Sequence, residues 1–351
     1  MSEARAIGAA VVGCGNISGV HLDVIHSSPV ARLVYLYDVK GERAEAKAAQ
    51  YGGTPAGSYD EILDDPAIEA VHILTPHAFH AGQALAALRH GKHVLCEKPM
   101  AVSVPEALEL IRADARGYKL CVIFQNRYNP STVMAEQIIA SKEYGRIVSI
   151  KAEMTWHRDA SYYSDDWHGK LALECGGVLI NQAIHTVDMM LHLGGKPRRI
   201  KGSVSTDLLR GAIEVEDNAH AVIEYEGGHT GLLYASNNFG VDEVPEVRIV
   251  LENAVLAHRG DELYITRPDG HTELICAKTD TGKAFGKFVY GTSHARQINE
   301  FYNDIATGAR HTITSAEAYT AVWAVSSVYE SSRTGEWVEF IAPDLPKYEK
   351  I

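Results

Sequence analysis

The chain has 351 residues, more than one domain usually contains, so its length favours two domains. Its composition, 46% hydrophobic and 22% charged residues with no apolar run long enough to span a bilayer, is typical of a soluble globular protein. The formal net charge of −12 argues against nucleic acid and anionic membranes as partners, because both bind clustered Lys and Arg side chains.

Cysteine usage indicates a reducing compartment. The five cysteines are an odd number and include no C-x-x-C pair: Cys14, Cys96, Cys121, Cys175 and Cys276. This pattern predicts free thiols rather than a disulfide framework or a zinc site. The first residues also lack the basic stretch and apolar core of a signal peptide, so we expect a cytoplasmic protein.

The first 125 residues alternate short apolar runs with helical patterns, which is typical of βαβ units and a parallel sheet. The predicted strands are Ile7–Val12, Ala31–Tyr37, Ala70–Leu74, His93–Cys96 and Leu120–Phe124. The predicted helices are Ile17–Ser27, Gly41–Gln50, Ala78–His90 and Pro105–Arg116.

The pattern changes near residue 126, where we place a domain boundary. The predicted strands beyond it are Arg146–Trp156, Ile200–Val204, Ala219–Tyr225, Thr230–Ser236 and Val247–Leu251. The predicted helices are Val178–Leu193, Ala295–Ala306 and Ala316–Ser332, and Glu226–His229 reads as a hairpin with a two-residue turn. We therefore expect a dinucleotide-binding domain over residues 1–125 and an α+β substrate-binding domain over residues 126–351.

A glycine-rich turn follows the first strand and opens the first helix. Gly13 suits the tight turn, and Gly15 lets the backbone of Asn16 and Ile17 approach a pyrophosphate at the helix N-terminus. Ser18 replaces the third glycine of the usual pattern and is small enough for close packing. Such a turn is weak evidence of a cofactor by itself.

Asp38 strengthens the prediction of a dinucleotide site. It ends the second strand, where an acidic side chain accepts hydrogen bonds from the ribose of NAD and repels the 2′-phosphate of NADP. We therefore expect NAD, with NADP as the weaker alternative because Lys40 and Arg43 lie nearby. The alternative role for Asp38 is to cap the following helix.

Four further motifs resemble those of the Gfo/Idh/MocA oxidoreductases, the family of glucose–fructose oxidoreductase and inositol dehydrogenase. They are Leu74–His80 (LTPHAFH), Cys96–Pro99 (CEKP), Asn126–Pro130 (NRYNP) and Gly176–Asp188 (GGVLINQAIHTVD). The resemblance implies a Rossmann domain followed by an α+β domain with a large, open, mostly antiparallel sheet. It also implies hydride transfer between nicotinamide and a ring hydroxyl or carbonyl of a sugar, glycoside or cyclitol, in a homodimer or homotetramer.

The resemblance also assigns roles to individual residues. Lys98 and His185 correspond to the catalytic positions, and these residue types suit the reaction: His185 can exchange a proton near neutral pH, and Lys98 can stabilise an alkoxide. The residues expected to line the cofactor are Thr75, Pro76, His80, Glu97, Lys98 and Asn126. Those expected to bind substrate are Arg127, Tyr128, Trp167 and Asn181.

Asn181 departs from the family, in which many members carry Asp at this position. Asparagine cannot exchange a proton but can orient a hydroxyl, and we expect Asn181→Asp to be tolerated. Asp188 lies three residues after His185 and is predicted either to orient it or to bind backbone.

The aromatic residues Trp156, Tyr162, Tyr163 and Trp167, around Asp165-Asp166, are expected either to stack on a sugar or to form a surface or subunit contact. His157, His168 and His185 lack the spacing of a metal motif, so no metal is expected. Two other functions stay open: a glycoside-cleaving enzyme that oxidises its substrate transiently with bound NAD, and a non-catalytic dinucleotide-sensing regulator.

Overall fold

A computed structural model describes residues 6–114, 119–278 and 293–343. These residues fall into two compact units: residues up to 125 with 293–319 and 343 form the first, and residues 126–278 with 320–342 form the second. No helix among the described residues is both long enough and apolar enough to cross a membrane.

The first unit contains a parallel six-stranded sheet in the order β3-β2-β1-β4-β5-β6. Its strands are β1 (Ile7–Val12), β2 (Ala31–Tyr37), β3 (Thr54–Pro55), β4 (Ala70–Ile73), β5 (His93–Cys96) and β6 (Leu120–Val122). Its helices are α1 (Ser18–Ser27), α2 (Gly41–Tyr51), α3 (Tyr59–Asp64), α4 (His77–Arg89), α5 (Val104–Ala113) and α9 (His294–Thr307). This order is that of a Rossmann domain and confirms the predicted fold class.

The predicted strands and helices of this unit are all present with small shifts in their bounds. The helix α5 ends at Ala113, before its predicted end at Arg116, a residue outside the described ranges. Strand β3 and helix α3 were not predicted, although Ser58 caps α3 by accepting a hydrogen bond from the backbone nitrogen of Glu61.

The helix α9 packs in the first unit, although the sequence analysis placed it with everything after residue 125 in the second domain. Phe301 and Tyr302 of α9 are buried in the same apolar cluster as Leu22 and Ile25 of α1. An apolar helix face is visible in a sequence, but the surface that it covers is not.

The second unit contains a nine-stranded sheet in the order β14-β13-β12-β11-β7-β10-β9-β8-β15. Its strands are β7 (Ile147–Thr155), β8 (Pro197–Ser205), β9 (Asn218–Tyr225), β10 (Thr230–Ser236), β11 (Glu246–Leu251), β12 (Val255–Arg259), β13 (Glu262–Thr266), β14 (Thr272–Cys276) and β15 (Val338–Glu339). Its helices are α6 (Pro130–Ser141), α7 (Leu171–Glu174), α8 (Ile184–Gly194) and most of α10 (Ser315–Thr334). Strands β7 and β10 pair in parallel and the other neighbours pair antiparallel, which confirms a mostly antiparallel sheet.

Two local predictions for this unit are wrong. The hairpin β9–β10 has a three-residue loop, because the backbone nitrogen of Tyr225 already donates to the carbonyl oxygen of His229, at 3.0 Å. Gly228 supplies the positive φ of +84° that such a loop requires. The predicted helix Val178–Leu193 begins only at Ile184, and the residues before it form turns.

Candidate active site

The glycine-rich turn between β1 and α1 leaves open space for a ligand. Gly13 has a φ of +97°, and a Cβ atom there would lie 2.5 Å from the carbonyl oxygen of Leu74, so glycine is required. A Cβ atom on Gly15 would meet nothing within 4 Å. Ser18 is fully buried and donates a 2.6 Å hydrogen bond to the carbonyl oxygen of Gly15, which explains why this small polar residue replaces glycine.

Asp38 fastens this turn to the end of β2. Its Oδ2 accepts a 2.8 Å hydrogen bond from the backbone nitrogen of Cys14, and its Oδ1 accepts one of 2.9 Å from the backbone nitrogen of Lys40. Each carboxylate oxygen can accept a second hydrogen bond, so ligand binding and the turn before α2 are compatible. The next residue, Val39, is 87% exposed and offers no cation to a 2′-phosphate.

Lys98 is the one partly exposed residue in the otherwise buried run 94–101, which begins within β5 and continues beyond its end. His80 of α4 joins this run to the end of β4: its Nδ1 lies 2.7 Å from the carbonyl oxygen of Pro99, and its Nε2 lies 2.6 Å from that of Thr75. His80 is 1% exposed. Burial lowers its pKa, and the hydrogen bonds with the two carbonyl oxygens, which raise the pKa, offset this only in part. His80 therefore connects two segments that the sequence analysis assigned to the cofactor site, while Pro76 is partly exposed between them.

A buried chain of histidines supports Glu97. His21 Nε2 lies 3.3 Å and His294 Nε2 lies 3.6 Å from Glu97 Oε1. His21 Nδ1 lies 2.8 Å from His72 Nδ1, and His72 Nε2 lies 2.7 Å from the hydroxyl of Tyr302. Burial opposes ionisation of Glu97, but the hydrogen bonds from His21 and His294 outweigh it and hold the pKa of this carboxyl well below its usual range.

The hydrogen-bond directions along this chain are mutually constrained. Two facing Nδ1 atoms form a hydrogen bond only if one carries a proton and the other does not. Burial keeps the pKa of His72 well below its usual range, so His72 is neutral. If Tyr302 donates to His72 Nε2, then His72 Nδ1 donates to His21, and His21 Nε2 donates to Glu97. Sequence reasoning singled out Glu97 but had no signal for His21 or His72, which lie on other elements.

In the second unit, His185 stands out by exposure. It lies in the first turn of α8 and is the one partly exposed residue in the run 176–191. Just before the helix, the side-chain nitrogen Nδ2 of Asn181 donates a 2.6 Å hydrogen bond to Oε1 of Glu174, which is fully buried. Glu174 Oε2 accepts a further short hydrogen bond from the backbone nitrogen of Gly169.

The turns before α8 are fixed by Glu216. Its carboxylate accepts hydrogen bonds from the backbone nitrogens of Gly177, at 2.9 Å, and Leu179, at 3.0 Å, and from the hydroxyl of Tyr329, at 2.9 Å. A Cβ atom on Gly177 would lie 1.9 Å from the carbonyl oxygen of Glu216, and one on Gly176 would lie 2.2 Å from the Tyr329 hydroxyl. Glycine is therefore needed at 177 for the approach of the Glu216 backbone and at 176 for the approach of the Tyr329 side chain. Burial raises the pKa of Glu216.

These features can be compared with known proteins. The family model "Oxidoreductase family, NAD-binding Rossmann fold" matches residues 7–124, and "GFO/IDH/MocA C-terminal domain" matches residues 132–257. The chain belongs to the Gfo/Idh/MocA family. The predicted resemblance is thereby confirmed, and the first unit is the NAD-binding Rossmann domain of an oxidoreductase.

Individual known proteins resemble this chain over most of its length. D-xylose 1-dehydrogenase (NADP(+)) 2 of Haloferax volcanii is 28% identical over 299 residues, which are 85% of this chain and 88% of that protein. The WlbA dehydrogenase from Bordetella pertussis, solved with NADH and UDP-GlcNAcA, has a TM-score of 0.82 at 25% identity and covers 96% of this chain and 99% of its own. Levoglucosan dehydrogenase with NADH and levoglucosan shares the fold, with a TM-score of 0.85 at 23% identity over 97% and 100% of the two chains.

The residues of this Gfo/Idh/MocA protein fit a dinucleotide. The open space above Gly15 leaves room for a pyrophosphate, and the N-cap residue of α1, Ile17, makes no side-chain capping hydrogen bond to the helix nitrogens. Asn16 is exposed beside them. Asp38 lies at the end of β2, where a ribose hydroxyl is recognised in this fold.

Asp188 has a partner that the sequence analysis did not foresee. Arg127 donates to it through Nε, at 2.9 Å, and through Nη2, at 2.5 Å, and both side chains are largely buried. The Asp188 carboxylate is thus held by an arginine that we expected to bind substrate. The two residues that flank Arg127 are also held in place. Tyr128 is 7% exposed, and the backbone carbonyl oxygen of Asn126 accepts a 2.7 Å hydrogen bond from the Thr132 hydroxyl.

The aromatic residues before α7 form one cluster. The ring of Tyr162 lies 4.9 Å from that of Tyr163 and 4.8 Å from that of His168, which lies 3.9 Å from that of Trp167. The side chain of Gln182 links this cluster to the segment of Asn181 by donating a 3.2 Å hydrogen bond to the Tyr162 hydroxyl. In the described ranges, no group of three or more His, Cys, Asp and Glu side chains is placed to hold a metal ion.

Proposed function

We propose that this protein oxidises a ring hydroxyl, or reduces the corresponding carbonyl, of a sugar, glycoside or cyclitol, with Lys98 and His185 at the reacting oxygen. The observation that carries this assignment is exposure: each of two buried signature segments contains one partly exposed residue, Lys98 in one and His185 in the other. When bound, NAD supplies the acceptor or donor of the hydride.

Each catalytic residue has a defined task in this proposal. His185 takes the proton of the hydroxyl during oxidation and returns it during reduction, since imidazole exchanges a proton near neutral pH. The Lys98 ammonium stabilises the negative charge that develops on that oxygen. Arg127, Tyr128, Asn181 and Trp167 shape the substrate site, Arg127 through its hold on Asp188.

We propose NAD rather than NADP as the preferred cofactor. In this proposal the Asp38 carboxylate accepts hydrogen bonds from a ribose and repels a 2′-phosphate. The neighbours with NADH support this choice, although the H. volcanii relative carries NADP(+) in its name. Thr75, Pro76, His80, Glu97, Lys98 and Asn126 are the remaining proposed cofactor contacts.

The division of labour follows the two predicted domains: residues 1–125 bind NAD, and residues 126–351 bind substrate and form a homodimer or homotetramer. We place the protein in the cytoplasm, which agrees with the lack of a disulfide bond among its five cysteines, all of which lie in the described ranges. Neither nucleic acid nor a membrane is a proposed partner.

A substrate screen tests the proposal. NADH absorbance is followed while free sugars, glycosides and inositols are supplied, and products are analysed in parallel. Stoichiometric NADH with an oxidised product is expected, as the dehydrogenase names of the relatives suggest. Glycoside cleavage with catalytic NAD and no net NADH would support the transient-oxidation enzyme instead, and NAD binding without turnover would support the regulator.

A further inference from the structure

The carboxamide of Asn181 and the carboxylate of Glu174 form a buried pair next to the helix of His185. Their atoms Nδ2 and Oε1 are 2.6 Å apart, Glu174 is fully buried, and Asn181 is 8% exposed. The two oxygens of Glu174 each accept an N–H, from Asn181 and from Gly169, which is the hydrogen-bonding pattern of an ionised carboxylate.

This pairing fixes which way the Asn181 carboxamide faces. When Glu174 is ionised, a flipped amide would place its oxygen 2.6 Å from a carboxylate oxygen, and two acceptors at that distance repel each other. The Nδ2 atom therefore stays on Glu174, and the other branch of the carboxamide is an oxygen, an acceptor. With Glu174 ionised, the pair holds one negative charge in total, which the unfolding series below tests.

Resting on the proposed function, we infer that Glu174 is a positioning residue of the reaction site, which orients the Asn181 oxygen to accept a hydrogen bond from a substrate hydroxyl. Where many family members have a carboxylate at position 181, this chain has its carboxylate at position 174 and an amide at 181. The site therefore selects a substrate that donates a hydroxyl at this point. It also excludes a second carboxylate: one introduced at position 181 would face Glu174 across 2.6 Å, which reverses the expectation that Asn181→Asp is tolerated.

Other titratable groups near Glu174 are common to every variant in the test. The charge of Glu174 acts on Tyr163 and Tyr329, and the pKa of each phenol is raised, chiefly by burial. Tyr329 in turn donates to Glu216. Because these groups are unchanged between variants, differences in pH dependence report on positions 174 and 181.

Substitutions at positions 174 and 181, made singly and together, test whether the two side chains share one charge or whether a substitution only disturbs packing. A shared charge makes the stability of a variant depend on pH, and a packing defect does not. In Asn181→Asp, two buried carboxylates compete for one proton, so folded protein binds more protons than unfolded protein above about pH 4. Its stability must then fall as pH rises. In Glu174→Gln/Asn181→Asp, the introduced glutamine amide can donate to the introduced carboxylate and accept from Gly169, so every hydrogen bond is restored with the charge moved to position 181.

Unfolding is measured first, without substrate, from pH 5.5 to 8.5. We expect Asn181→Asp to lose on the order of 5 °C in Tm relative to wild type as pH rises, and the double variant to lose none. The matched control is Asn218→Asp, which creates the same carboxylate pair with Asp207 (Nδ2–Oδ2 2.7 Å) at the surface, where water screens it. If the difference in Tm between Asn181→Asp and wild type does not change with pH, the inference that positions 174 and 181 share one charge is wrong.

Turnover is measured second. We expect kcat/KM to fall about 10-fold or more in Glu174→Gln and in Asn181→Asp, and to return to within about 3-fold of wild type in the double variant. A double variant no better than the single ones overturns the positioning role, even if all fold. A wild type that turns over no sugar or cyclitol overturns the proposed function instead, and the unfolding series still decides whether the two residues share one charge.

Discussion

Arg127 binds Asp188 through two nearly parallel hydrogen bonds across 61 residues of sequence. The Arg127 side chain is 12% exposed and that of Asp188 is 2% exposed. Arginine presents its donors as a rigid fork, and a carboxylate matches it with two oxygens. The pair therefore ties the segment before α6 to α8, three residues beyond His185.

Breaking this pair should destabilise the protein strongly. Arg127→Met leaves a buried, unpaired carboxylate, so we expect a loss of about 3–5 kcal/mol in the free energy of unfolding. Arg127→Met/Asp188→Leu should lose clearly less, because no charge is left behind. Urea unfolding measures both. The control is Arg146→Met, which breaks the exposed pair Arg146–Glu252 (2.8 Å) and should cost at most about 1 kcal/mol. Equal losses for the single and double variants would show that packing, not charge, matters here.

Removing either catalytic side chain should lower turnover and leave NAD binding nearly intact, because each side chain is at most one of many contacts to the cofactor. We expect His185→Ala to lower kcat about 10²- to 10⁴-fold and to flatten the neutral limb of its pH profile. Lys98→Ala should lose as much or more, and Lys98→Arg should not restore activity, because the larger planar guanidinium does not place its charge where the compact ammonium does. The measurements are kcat against pH and a fluorescence titration with NADH.

His192 provides the control for His185, because it lies on the same helix and pairs with Glu136 at 2.6 Å. His192→Ala should leave kcat near that of wild type. Turnover close to wild type in both Lys98→Ala and His185→Ala would refute the proposed mechanism.

Asp38 should set the cofactor preference. We expect wild type to bind NADH at least several-fold more tightly than NADPH, and Asp38→Ser to narrow this gap by removing the charge that a 2′-phosphate meets. Serine keeps one oxygen for the backbone nitrogens that Asp38 holds. Glu42→Ser, in the exposed first turn of α2, is the control and should leave the ratio unchanged. Equal affinities of wild type for the two cofactors would contradict this role of Asp38.

His258 should make the protein sensitive to acid. Its Nε2 lies 3.0 Å from the hydroxyls of both Ser131 and Thr132, and burial lowers its pKa to about 4. Below an unfolded pKa of about 6.5, the unfolded state binds a proton that the folded state does not, so stability falls as pH falls. From pH 7 to pH 5 this histidine should account for a loss of about 2 kcal/mol.

The variant His258→Gln isolates this contribution. Its stability difference between pH 7 and pH 5, measured by urea unfolding, should be smaller than that of wild type by about 2 kcal/mol. The exposed His220 gives the control variant, His220→Gln, which should follow wild type. An identical pH dependence in His258→Gln and wild type would mean that His258 does not contribute.

Local signals predicted much of the fold and part of the site. The strands β1, β2, β5 and β10 begin and end at the predicted residues. This is because a buried strand and the turns on either side of it depend on residues that are close together in the sequence. The glycine turn and Asp38 were found for the same reason. The predicted start of α8 was six residues too early. The backbone nitrogens of Gly177 and Leu179 donate to the carboxylate of Glu216, which is distant in the sequence, and the residues before Ile184 form turns instead of helix.

By itself, the sequence determined the class of each unit, the family, and the two residues proposed for chemistry, since each rests on residues close together in the chain. The tertiary structure decided which side chains support them. The pairing of Arg127 with Asp188 and the histidine chain behind Glu97 join different elements, and Glu174 meets Asn181 across turns that Glu216 fixes. The physical reason is that a buried charge is stabilised by a hydrogen-bond donor that the fold brings to it from elsewhere in the chain. The hydrophobic periodicity of the sequence does not indicate which residue that donor is.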